Sequence, residues 1–598
     1  MPINNWPNLV SMFFDQVEAN ALKPMLHAKK DGAWVSLSWQ EVAKQVAQLA
    51  QALKQMGIEK GDRVVLVSEN RPEWAIADLA IMAAGAISVP TYTTYTPRDY
   101  LHILENSGAK AAIVSTKALS MTFLKAAHES EDLMHTICME DPDLSQQLDV
   151  TVYDWTQQLA AQDGNVAMVK AWSDPVKRDD IACLIYTSGT GGAPKGVMIH
   201  HGAILHNCEG AAEVIKELGL KNNSFLSFLP LSHAYEHSAG MYLPLSIGAD
   251  IWYAESLDKL AANMEEASPT IMVVVPRLFE MLRLRLMRQM QKKGGLSSKL
   301  FDRTVALGMK KSIGEESLSF FEKLQDSLLD ILVRKKVQKK FGGRIKALVS
   351  GGAPLSPDVG FFFAGLGLPL LQGYGQTESG PVVSVNPPSD PRMSTVGKIM
   401  KNTEVKIAAD GEILIRGELV MKGYWGNDLA TKEALKEGWL HTGDIGILDN
   451  EGFLSITDRK KDILINDKGD NISPQRIEGL IALENEIAQA MVYGDRKPHL
   501  VGLVVPDQEW LVEWAKANKK ESRKLADLMD DPDLKKALDA AVRRVNGRLS
   551  NLEKIRKIII AKEAFSIDNE QMTPTLKIRR HVICDAYQER LESLYGKK

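Results

Sequence analysis

A glycine-rich loop at residues 186–197 constrains this chain more than any other feature. It follows an apolar run at residues 181–185, which is typical of a buried strand. Glycine lets the backbone turn its N–H groups toward one point without Cβ clashes, and hydroxyl and ammonium groups add donors and positive charge. A concave set of such donors suits a polyphosphate. The loop therefore predicts a phosphate site formed by Thr187, Ser188, Gly189, Thr190 and Lys195.

The position of the lysine separates this loop from the Walker phosphate loop. Walker loops close with Gly-Lys-Ser/Thr, whereas Lys195 follows Pro194 and precedes Gly196. The nucleotide chemistry should therefore differ from that of P-loop enzymes. Composition alone leaves open a flexible surface turn, because glycine and hydroxyl residues are also common in turns.

Length and charge narrow the class of protein. A chain of 598 residues is too long for one core and predicts two or more domains. Hydrophobic residues make up 45% and charged residues 25%, which is ordinary for a globular protein. A net charge of −4 argues against nucleic-acid binding, which favours a basic excess. Small molecules are the expected partners.

The expected location is the cytoplasm. The cysteines lie far apart without Cys-x-x-Cys spacing, so neither a disulfide framework nor a zinc site is predicted. Residues 1–10 lack the basic start and apolar core of a secretory signal. The sequence contains no run of about 18 apolar residues, the length that a spanning helix needs. Peripheral association with the inner face of the membrane stays open, as does the oligomeric state, for which a homodimer is one alternative.

Strands and helices alternate through the first part of the chain. Apolar runs at residues 63–67, 87–89 and 111–114 predict strands, and helices are predicted to begin near Pro72 and Pro97. This alternation predicts a parallel sheet in an α/β fold. Ligands of such sheets bind at the carboxyl ends of the strands, which is where the glycine-rich loop falls.

Three later strands are each followed by residues suited to a ligand. These strands are predicted at residues 225–229, 345–349 and 369–372. Small residues let a backbone approach a flat heterocycle, an aromatic ring can stack on it, and Mg²⁺ prefers carboxylate oxygens. The loops after these strands contain His233, then Gly351, Gly352 and Ala353, then Gly373, Tyr374, Gly375 and Glu378.

Charged residues mark the last part of the chain. Asp444 can accept hydrogen bonds from both hydroxyls of a ribose, and the dense charges at residues 458–462 predict a linker. The remainder alternates short strands with helices, enough for a small α+β domain. Lys577 lies near its end, within residues 572–580.

Together these segments resemble the AMP-forming adenylating enzymes, the superfamily of acyl-CoA synthetases, luciferases and peptide-synthetase adenylation domains. Six motifs similar to those of the family follow one another between Ser38 and Arg580. The resemblance implies an α/β fold with a large N-terminal adenylation domain, residues 1–458, of stacked mixed α/β sheets and a small β subregion. It also implies a small mobile α+β C-terminal domain, residues 459–598, with a hinge at residues 459–462.

The resemblance implies a role for each motif residue. Glu378 and Thr187 would hold Mg²⁺, and Lys577 would bridge the substrate carboxylate and the α-phosphate of ATP. His233 would lie beside the acyl pocket and the thiol channel. Adenine and ribose would contact Gly351, Gly352, Ala353, Gly373, Tyr374, Gly375, Asp444 and Arg459.

The same resemblance places the hinge and the coenzyme A channel in the second domain. Lys461 would be the residue whose dihedral angles change when that domain swings, and Lys468 and Gly469 would line the channel. Asp470 departs from the family pattern, which leaves the coenzyme A contacts open.

The implied activity is that of a long-chain fatty acid–CoA ligase that uses ATP, Mg²⁺ and coenzyme A. The residues after Lys577 and the long insertion at about residues 277–341 look like those of the long-chain acyl-CoA synthetases. One alternative is a fatty acyl-AMP ligase that loads a carrier protein. Another is a catalytically inactive partner that binds an acyl-nucleotide.

The insertion itself is basic and amphipathic. Phe321, Leu324, Leu328 and Leu332 share one face of a predicted helix. One interpretation is a solvated helical hairpin packed on the domain. The other is a surface for anionic lipid or for the phosphates of coenzyme A, formed by Arg283, Arg285, Arg288, Lys335, Lys336 and Lys339.

Overall fold

Parallel strands form the centres of the two main sheets. The computed structural model describes residues 5–143, 149–187, 193–313, 318–460, 462–468, 470–573 and 577–596. The first sheet has a parallel centre and ends in an antiparallel pair. Its strands, in spatial order, are Thr151–Asp154, His135–Cys138, Ala111–Val114, Arg63–Val67, Ile87–Thr91, Ile181–Thr187 and Lys195–His200.

The second sheet is parallel in the middle and antiparallel at both edges. Its strands, in spatial order, are Lys398–Ile399, Val382–Val385, Leu370–Gly375, Ala347–Ser350, Ile271–Val274, Ser224–Ser227, Asp250–Tyr253, Pro24–Lys30 and Ala33–Ser38. A smaller antiparallel sheet follows and matches the predicted β subregion. It consists of Glu404–Ile407, Glu412–Arg416, Leu435–Lys436, Trp439–Leu448 and Leu454–Arg459.

Helices cover both main sheets. The helix Trp39–Gln55 begins at a capping box formed by Ser38 and Glu41, and its apolar face is buried. The other α-helices of this part are Leu9–Asn20, Pro72–Ala83, Pro97–Ser107, Lys117–Glu129, Trp155–Ala160, Val166–Trp172, His201–Ile215, Leu243–Ser246, Leu260–Ala267, Pro276–Lys293, Gly295–Ile313, Phe320–Leu329, Lys335–Lys340, Pro357–Gly365 and Asp428–Ala434. Two π-helical segments are Glu236–Tyr242 and Asp330–Arg334.

The smaller C-terminal domain has its own strands and core. Strand Leu464–Ile465 pairs with Asn471–Ile472, and a further sheet joins Ile487–Tyr493, Leu500–Pro506 and Ile555–Ile560. Its α-helices are Pro474–Ile481, Gln508–Ala517, Leu525–Leu528, Pro532–Asn546 and Arg580–Glu592. The buried side chains of this region form clusters separate from those between the main sheets. This architecture confirms the predicted fold class.

None of the helices within the described ranges is both long and apolar enough to cross a membrane.

The basic insertion divides into two different surfaces. On the helix Pro276–Lys293, Arg288 forms ion pairs with Asp507 at 2.7 Å and Glu509 at 3.2 Å, and Arg283 donates to the Leu483 carbonyl at 3.3 Å. These arginines therefore face the C-terminal domain. The alternative of a lipid surface through Arg283 and Arg288 does not fit this conformation, because Arg288 pairs with two carboxylates and Arg283 contacts a backbone carbonyl of the C-terminal domain.

We predict that Arg288→Glu loosens the docking of the C-terminal domain. The change places a negative charge beside Asp507 and Glu509, which should weaken docking by about 1 kcal/mol, or roughly 5-fold. Faster backbone hydrogen exchange at residues 484–486 would report the loosening. Lys292→Glu is the matched control, because the pair of Lys292 with Glu513 is about two-thirds exposed and should contribute little.

A charge swap completes this test. Combining Arg288→Glu with Asp507→Arg should restore part of the protection. Equal exchange in wild type and Arg288→Glu would show that the pair does not hold the domains together.

Candidate active site

A single cavity of about 2290 Å³ joins the carboxyl ends of the main strands to the C-terminal domain. Among the predicted site residues, those that line it are Thr187, Lys195, His233, Gly351, Gly352, Ala353, Gly373, Tyr374, Gly375, Glu378, Asp444, Arg459 and Lys577. Lys468 is exposed to solvent and is absent from this lining. Ser188, Gly189, Thr190, Lys461 and Gly469 lie outside the described residues.

The two ends of the glycine-rich loop are held by strand pairing. Thr187 pairs with Lys195 across the antiparallel strands Ile181–Thr187 and Lys195–His200. The ammonium of Lys195 lies 5.0 Å from the ring centroid of Tyr424, within cation–π range. Strand pairing and this aromatic contact therefore hold the positive charge of Lys195 at the C-terminal end of the loop.

Tyr424 links the loop to the acidic residue. Its hydroxyl donates to Glu378 Oε1 at 2.9 Å, and the backbone N–H of Trp425 donates to the Gly196 carbonyl at 2.7 Å. Burial and the neighbouring carboxylate raise the pKa of Tyr424, so the phenol keeps its proton. The sequence analysis missed this residue. Its contacts join segments that are far apart in the chain, and local sequence carries no signal of them.

Asp444 accepts two contacts from within the protein. Tyr374 donates its hydroxyl to Oδ2 at 2.7 Å, and Arg459 Nε lies 3.4 Å from Oδ1. Asp444 and Arg459 are neighbours because their strands pair in that register. Burial raises the pKa of Asp444, while Arg459 and Tyr374 oppose that rise. Each carboxylate oxygen can accept more than one hydrogen bond, so contacts to a ribose remain feasible.

Packing within the protein explains two of the glycines. A Cβ atom at Gly351 would lie 2.8 Å from the ring of Tyr235, and one at Gly375 would lie 1.8 Å from the Pro381 carbonyl oxygen. The sequence analysis attributed these small residues to a bound heterocycle. The structure shows that the neighbouring side chain and backbone already exclude a larger residue at either position.

Lys577 reaches the cavity from the C-terminal domain. The Thr573 N–H donates to the Lys577 carbonyl at 2.8 Å and the Lys577 N–H donates to the Thr573 hydroxyl at 3.1 Å, which closes the turn. Lys577 is exposed toward the cavity that it lines, and protein atoms surround that cavity. Desolvation therefore lowers the pKa of Lys577 to about 8; Arg459 adds to this, and the carboxylates of Asp444 and Glu378 oppose it.

His233 lies in the electrostatic field of Lys577. Burial, reinforced by that lysine, lowers the pKa of His233 to about 3, so the ring is neutral. Its Nδ1 accepts from the Tyr235 N–H at 3.2 Å, and the neutral ring therefore carries its proton on Nε2. The cavity thus combines a cation from the C-terminal domain with Glu378, Asp444 and an uncharged imidazole.

Two family models match the chain. The model described as AMP-binding enzyme covers residues 13–425, and the model described as AMP-binding enzyme C-terminal domain covers residues 461–598. The chain belongs to the AMP-binding enzyme family. The resemblance that the motifs predicted is confirmed.

Relatives in this family match along nearly the whole chain. Long-chain-fatty-acid–CoA ligase FadD15 of Mycobacterium tuberculosis is 32% identical, over 99% of this chain and 97% of its own length. Long-chain-fatty-acid–CoA ligase 6 of Homo sapiens is 31% identical, over 94% of this chain and 82% of its own length.

Solved structures of the family share the fold. The adenylation domain of a carboxylate reductase from Mycobacterium chelonae aligns with a TM-score of 0.77 at 20% identity, covering 100% of this chain and 92% of that one. The A-PCP didomain of the carboxylic acid reductase from Segniliparus rugosus, in complex with AMP, aligns with a TM-score of 0.75 at 20% identity, covering 99% and 82%. The large N-terminal and small C-terminal domains of this AMP-binding enzyme are therefore those of the family fold.

We predict that AMP binding by this enzyme weakens as the pH rises through about 8. The ammonium of Lys577 is charged below its pKa of about 8 and neutral above it, so attraction to the AMP phosphate is lost in that window. The loss should reach about 10-fold, the effect of one charge-assisted hydrogen bond. Calorimetric titration with AMP measures this affinity from pH 6.5 to 9.5. That range extends about 1.5 pH units on either side of the expected inflection.

The control for this titration is Lys577→Arg. A guanidinium stays charged over the whole range, so its affinity should show no inflection near pH 8. The same inflection in wild type and variant would assign the titration to another group.

We predict that Tyr424→Phe weakens binding of ATP with Mg²⁺ while sparing AMP. The ring that faces Lys195 remains, but the hydroxyl that orients Glu378 is lost, at about 1 kcal/mol or roughly 5-fold. Tyr153→Phe, in a strand at the sheet edge away from the cavity lining, is the matched control. Equal losses for both nucleotides would contradict a role on the phosphate side.

Proposed function

We propose that this AMP-binding enzyme is a long-chain fatty acid–CoA ligase. One observation carries the proposal: the polar nucleotide end and an extended apolar region belong to the same cavity. The apolar lining comes from the helix His201–Ile215, one π-helical position, the start of the helix Leu243–Ser246, and strands of the second sheet with the residue after one of them; it includes Ala211, Val214, Ile215, Phe225, Ala239, Leu243, Ile271, Val273, Ala347, Val349, Leu371, Val382, Val385 and Met400. At about 2290 Å³ the cavity exceeds the usual size of a single-ligand pocket, roughly 300–1,000 Å³. It can hold a nucleotide and a long hydrocarbon chain together.

In the first step the fatty acid is activated. A carboxylate is a poor electrophile, because its charge repels nucleophiles and its oxide is a poor leaving group. Its oxygen attacks the α-phosphorus of ATP, the bond to the β-phosphate breaks, and acyl-adenylate and pyrophosphate form. Lys577 neutralises the carboxylate and the α-phosphate as they approach, and Lys195 with the rest of the glycine-rich loop holds the departing phosphates.

The residues present suit a magnesium ion carried in with ATP. Mg²⁺ is bound by one or two carboxylates together with substrate phosphates, and it keeps several waters. Glu378 lines the cavity, and its Oε1 is oriented by Tyr424. Thr187 ends its strand on the same cavity and offers a hydroxyl. Glu378 and Thr187 would hold the ion, which would supply positive charge beside the phosphates.

In the second step the thiol of coenzyme A attacks the acyl carbonyl and AMP leaves. We propose that the C-terminal domain, residues 459–598, swings about a hinge at residues 459–462 that includes Lys461. The swing withdraws Lys577 and brings Lys468 and Gly469 to the cavity. The position of Lys577 in the cavity lining and the exposure of Lys468 support our assignment of this conformation to the first step. Neutral His233 then lies beside the thiol path.

The placement of Lys577 disfavours a catalytically inactive partner. An acyl-nucleotide carrier would not need a cation held with a lowered pKa beside two carboxylates. A fatty acyl-AMP ligase would use the same first step with a carrier protein as acceptor. The named relatives are CoA ligases, which favours coenzyme A. We propose the cytoplasm as the location, with fatty acid, ATP and coenzyme A as the partners.

The test is pyrophosphate release with carboxylates from acetate to stearate, with and without coenzyme A. Long-chain acids should be the best substrates, and acyl-CoA should accumulate only when free coenzyme A is present. Release confined to short acids would overturn the substrate class. Adenylate formation without thioester formation would favour the carrier-protein acceptor.

We predict that Lys577→Ala separates the two steps. Loss of one preorganised charge should slow adenylate formation roughly 10²–10³-fold, while thioester formation from supplied acyl-adenylate continues. Rapid-quench measurement of each half-reaction provides the comparison. Equal losses in both half-reactions would argue that Lys577 supports the fold of the site and has no role specific to the first step.

A further inference from the structure

The helix Phe320–Leu329 carries its apolar residues on the outside. Phe320, Phe321, Leu324, Leu328 and the adjoining Ile331 are between 56% and 80% exposed. At about 100° per residue, the first four fall within roughly 100° of the helix circumference. We call these five residues the outer stripe. The sequence analysis grouped part of this face on one helix and left open whether it packs on the domain; the structure leaves the outer stripe exposed to solvent.

The acidic residues of the same helix face the protein. Glu322 forms an ion pair with Lys310 at 3.3 Å and lies 3.8 Å from Arg303, both on the helix Gly295–Ile313. Asp326 pairs with Arg334, which is buried and also donates to the Gly365 carbonyl at 2.8 Å. Ion pairs thus fix the orientation of the helix.

This arrangement is the inverse of an ordinary surface helix. A helix on a soluble protein places its apolar stripe toward the core and its charges toward water. Here the inward ion pairs hold the outer stripe in solvent, so the exposure is built into the fold. Contiguous exposed apolar patches of this kind mark interaction sites.

The charges near the outer stripe indicate which kind of partner it binds. Lys323 lies beside Phe320 and Leu324 at helical spacing, and the chain continues into the helix Lys335–Lys340. Lys323, Lys335, Lys336 and Lys339 are exposed, and within the described residues no ion pair engages them. Aromatic and aliphatic residues flanked by lysine are the composition of helices that lie in the interface of anionic bilayers.

A second copy of the chain fits this surface less well. A two-fold contact places the same patch on both sides, so the lysines of one copy would meet those of the other. An anionic bilayer offers both an apolar interior for the outer stripe and phosphate charge for the lysines.

We propose that the outer stripe docks this enzyme on the surface of an anionic lipid bilayer, with Phe320 and Phe321 inserted among the acyl chains. Docking does not depend on the proposed ligase activity. Its consequence does: a ligase held on the bilayer takes fatty acid from the membrane, where long-chain acids concentrate. The surface differs from the one expected from sequence, because Arg283 and Arg288 serve the interface between the domains.

The test is co-sedimentation of the full chain with two kinds of vesicle, pure phosphatidylcholine and equal parts phosphatidylglycerol and phosphatidylcholine, at low and high salt. Wild type should bind the anionic vesicles. Phe320→Ser with Phe321→Ser should lower the binding by about 10-fold or more, since each phenyl ring loses its transfer to an apolar medium. Lys335→Ala with Lys336→Ala should lower it about 5-fold per lysine at low salt, and less as the Debye length falls to about 8 Å.

Matched controls are available elsewhere on the surface. Leu22→Ser with Leu429→Ser removes two residues that are as exposed as the phenylalanines but lie outside the outer stripe, and should leave vesicle binding unchanged. Arg288→Glu removes a basic residue that faces the C-terminal domain, and should also leave it unchanged. Thermal unfolding of each variant confirms that the fold is intact.

The outcomes separate clearly. Failure of wild type to bind anionic vesicles at low salt overturns the proposal, as does equal binding by wild type and the Phe320/Phe321 variant. A wild-type dimer that the same variant converts to monomer, without vesicle binding, assigns the outer stripe to a second copy and also overturns it. Vesicle binding that depends on the outer stripe supports docking even if no carboxylate releases pyrophosphate. Pyrophosphate release without vesicle binding would leave the ligase proposal standing and reject this one.

Discussion

The desolvation of one positive charge organises this molecule. Lys577 comes from a domain with its own core, and it lines a cavity that both domains form, in the electrostatic field of Arg459, Asp444 and Glu378. Desolvation and the nearby guanidinium destabilise its charged form, and the two carboxylates stabilise it. The result is a pKa of about 8, which leaves the lysine charged near neutral pH without a fixed ion-pair partner of its own in the described structure. Such a cation is available to an anionic ligand.

Strand ends and strand pairing position the residues that Lys577 faces. The parallel strands of the second sheet end at one edge, so Gly351, Gly375 and His233, which lie at or beyond three strand ends, line one cavity although they are far apart in sequence. Asp444 and Arg459 are brought together by antiparallel register in the smaller sheet, and Thr187 and Lys195 by antiparallel register in the first. Backbone hydrogen bonding therefore sets the positions of the charged groups before any ligand arrives. A site preorganised in this way needs little rearrangement on binding.

Local sequence patterns were sufficient to predict much of the fold. The strands Arg63–Val67 and Ala111–Val114 were predicted with the bounds that the structure has, because apolar runs and turn residues define them. The motif residues could be grouped because strand ends meet at one sheet edge. Tyr424 could not be predicted, because its partners Glu378 and Lys195 are brought to it by pairing between distant segments. The same limit explains the insertion: helical periodicity showed one apolar face, but the ion pairs of Glu322 and Asp326 decide that it points outward.

The contacts between the two domains are weak individually, and this suits the proposed second step. Arg288 with Asp507, Lys292 with Glu513 and Arg548 with Asp358 are polar pairs, and several of these side chains are half exposed or more. The two exposed pairs, Lys292 with Glu513 and Arg548 with Asp358, contribute about 0–1 kcal/mol each, so they add little to the cost of parting the domains. A large apolar interface would instead have fixed Lys577 in the cavity. Lys468 is exposed on the same small domain, away from the cavity lining that contains Lys577. In the proposed swing, the weak pairs would let the domain move so that the two lysines exchange places.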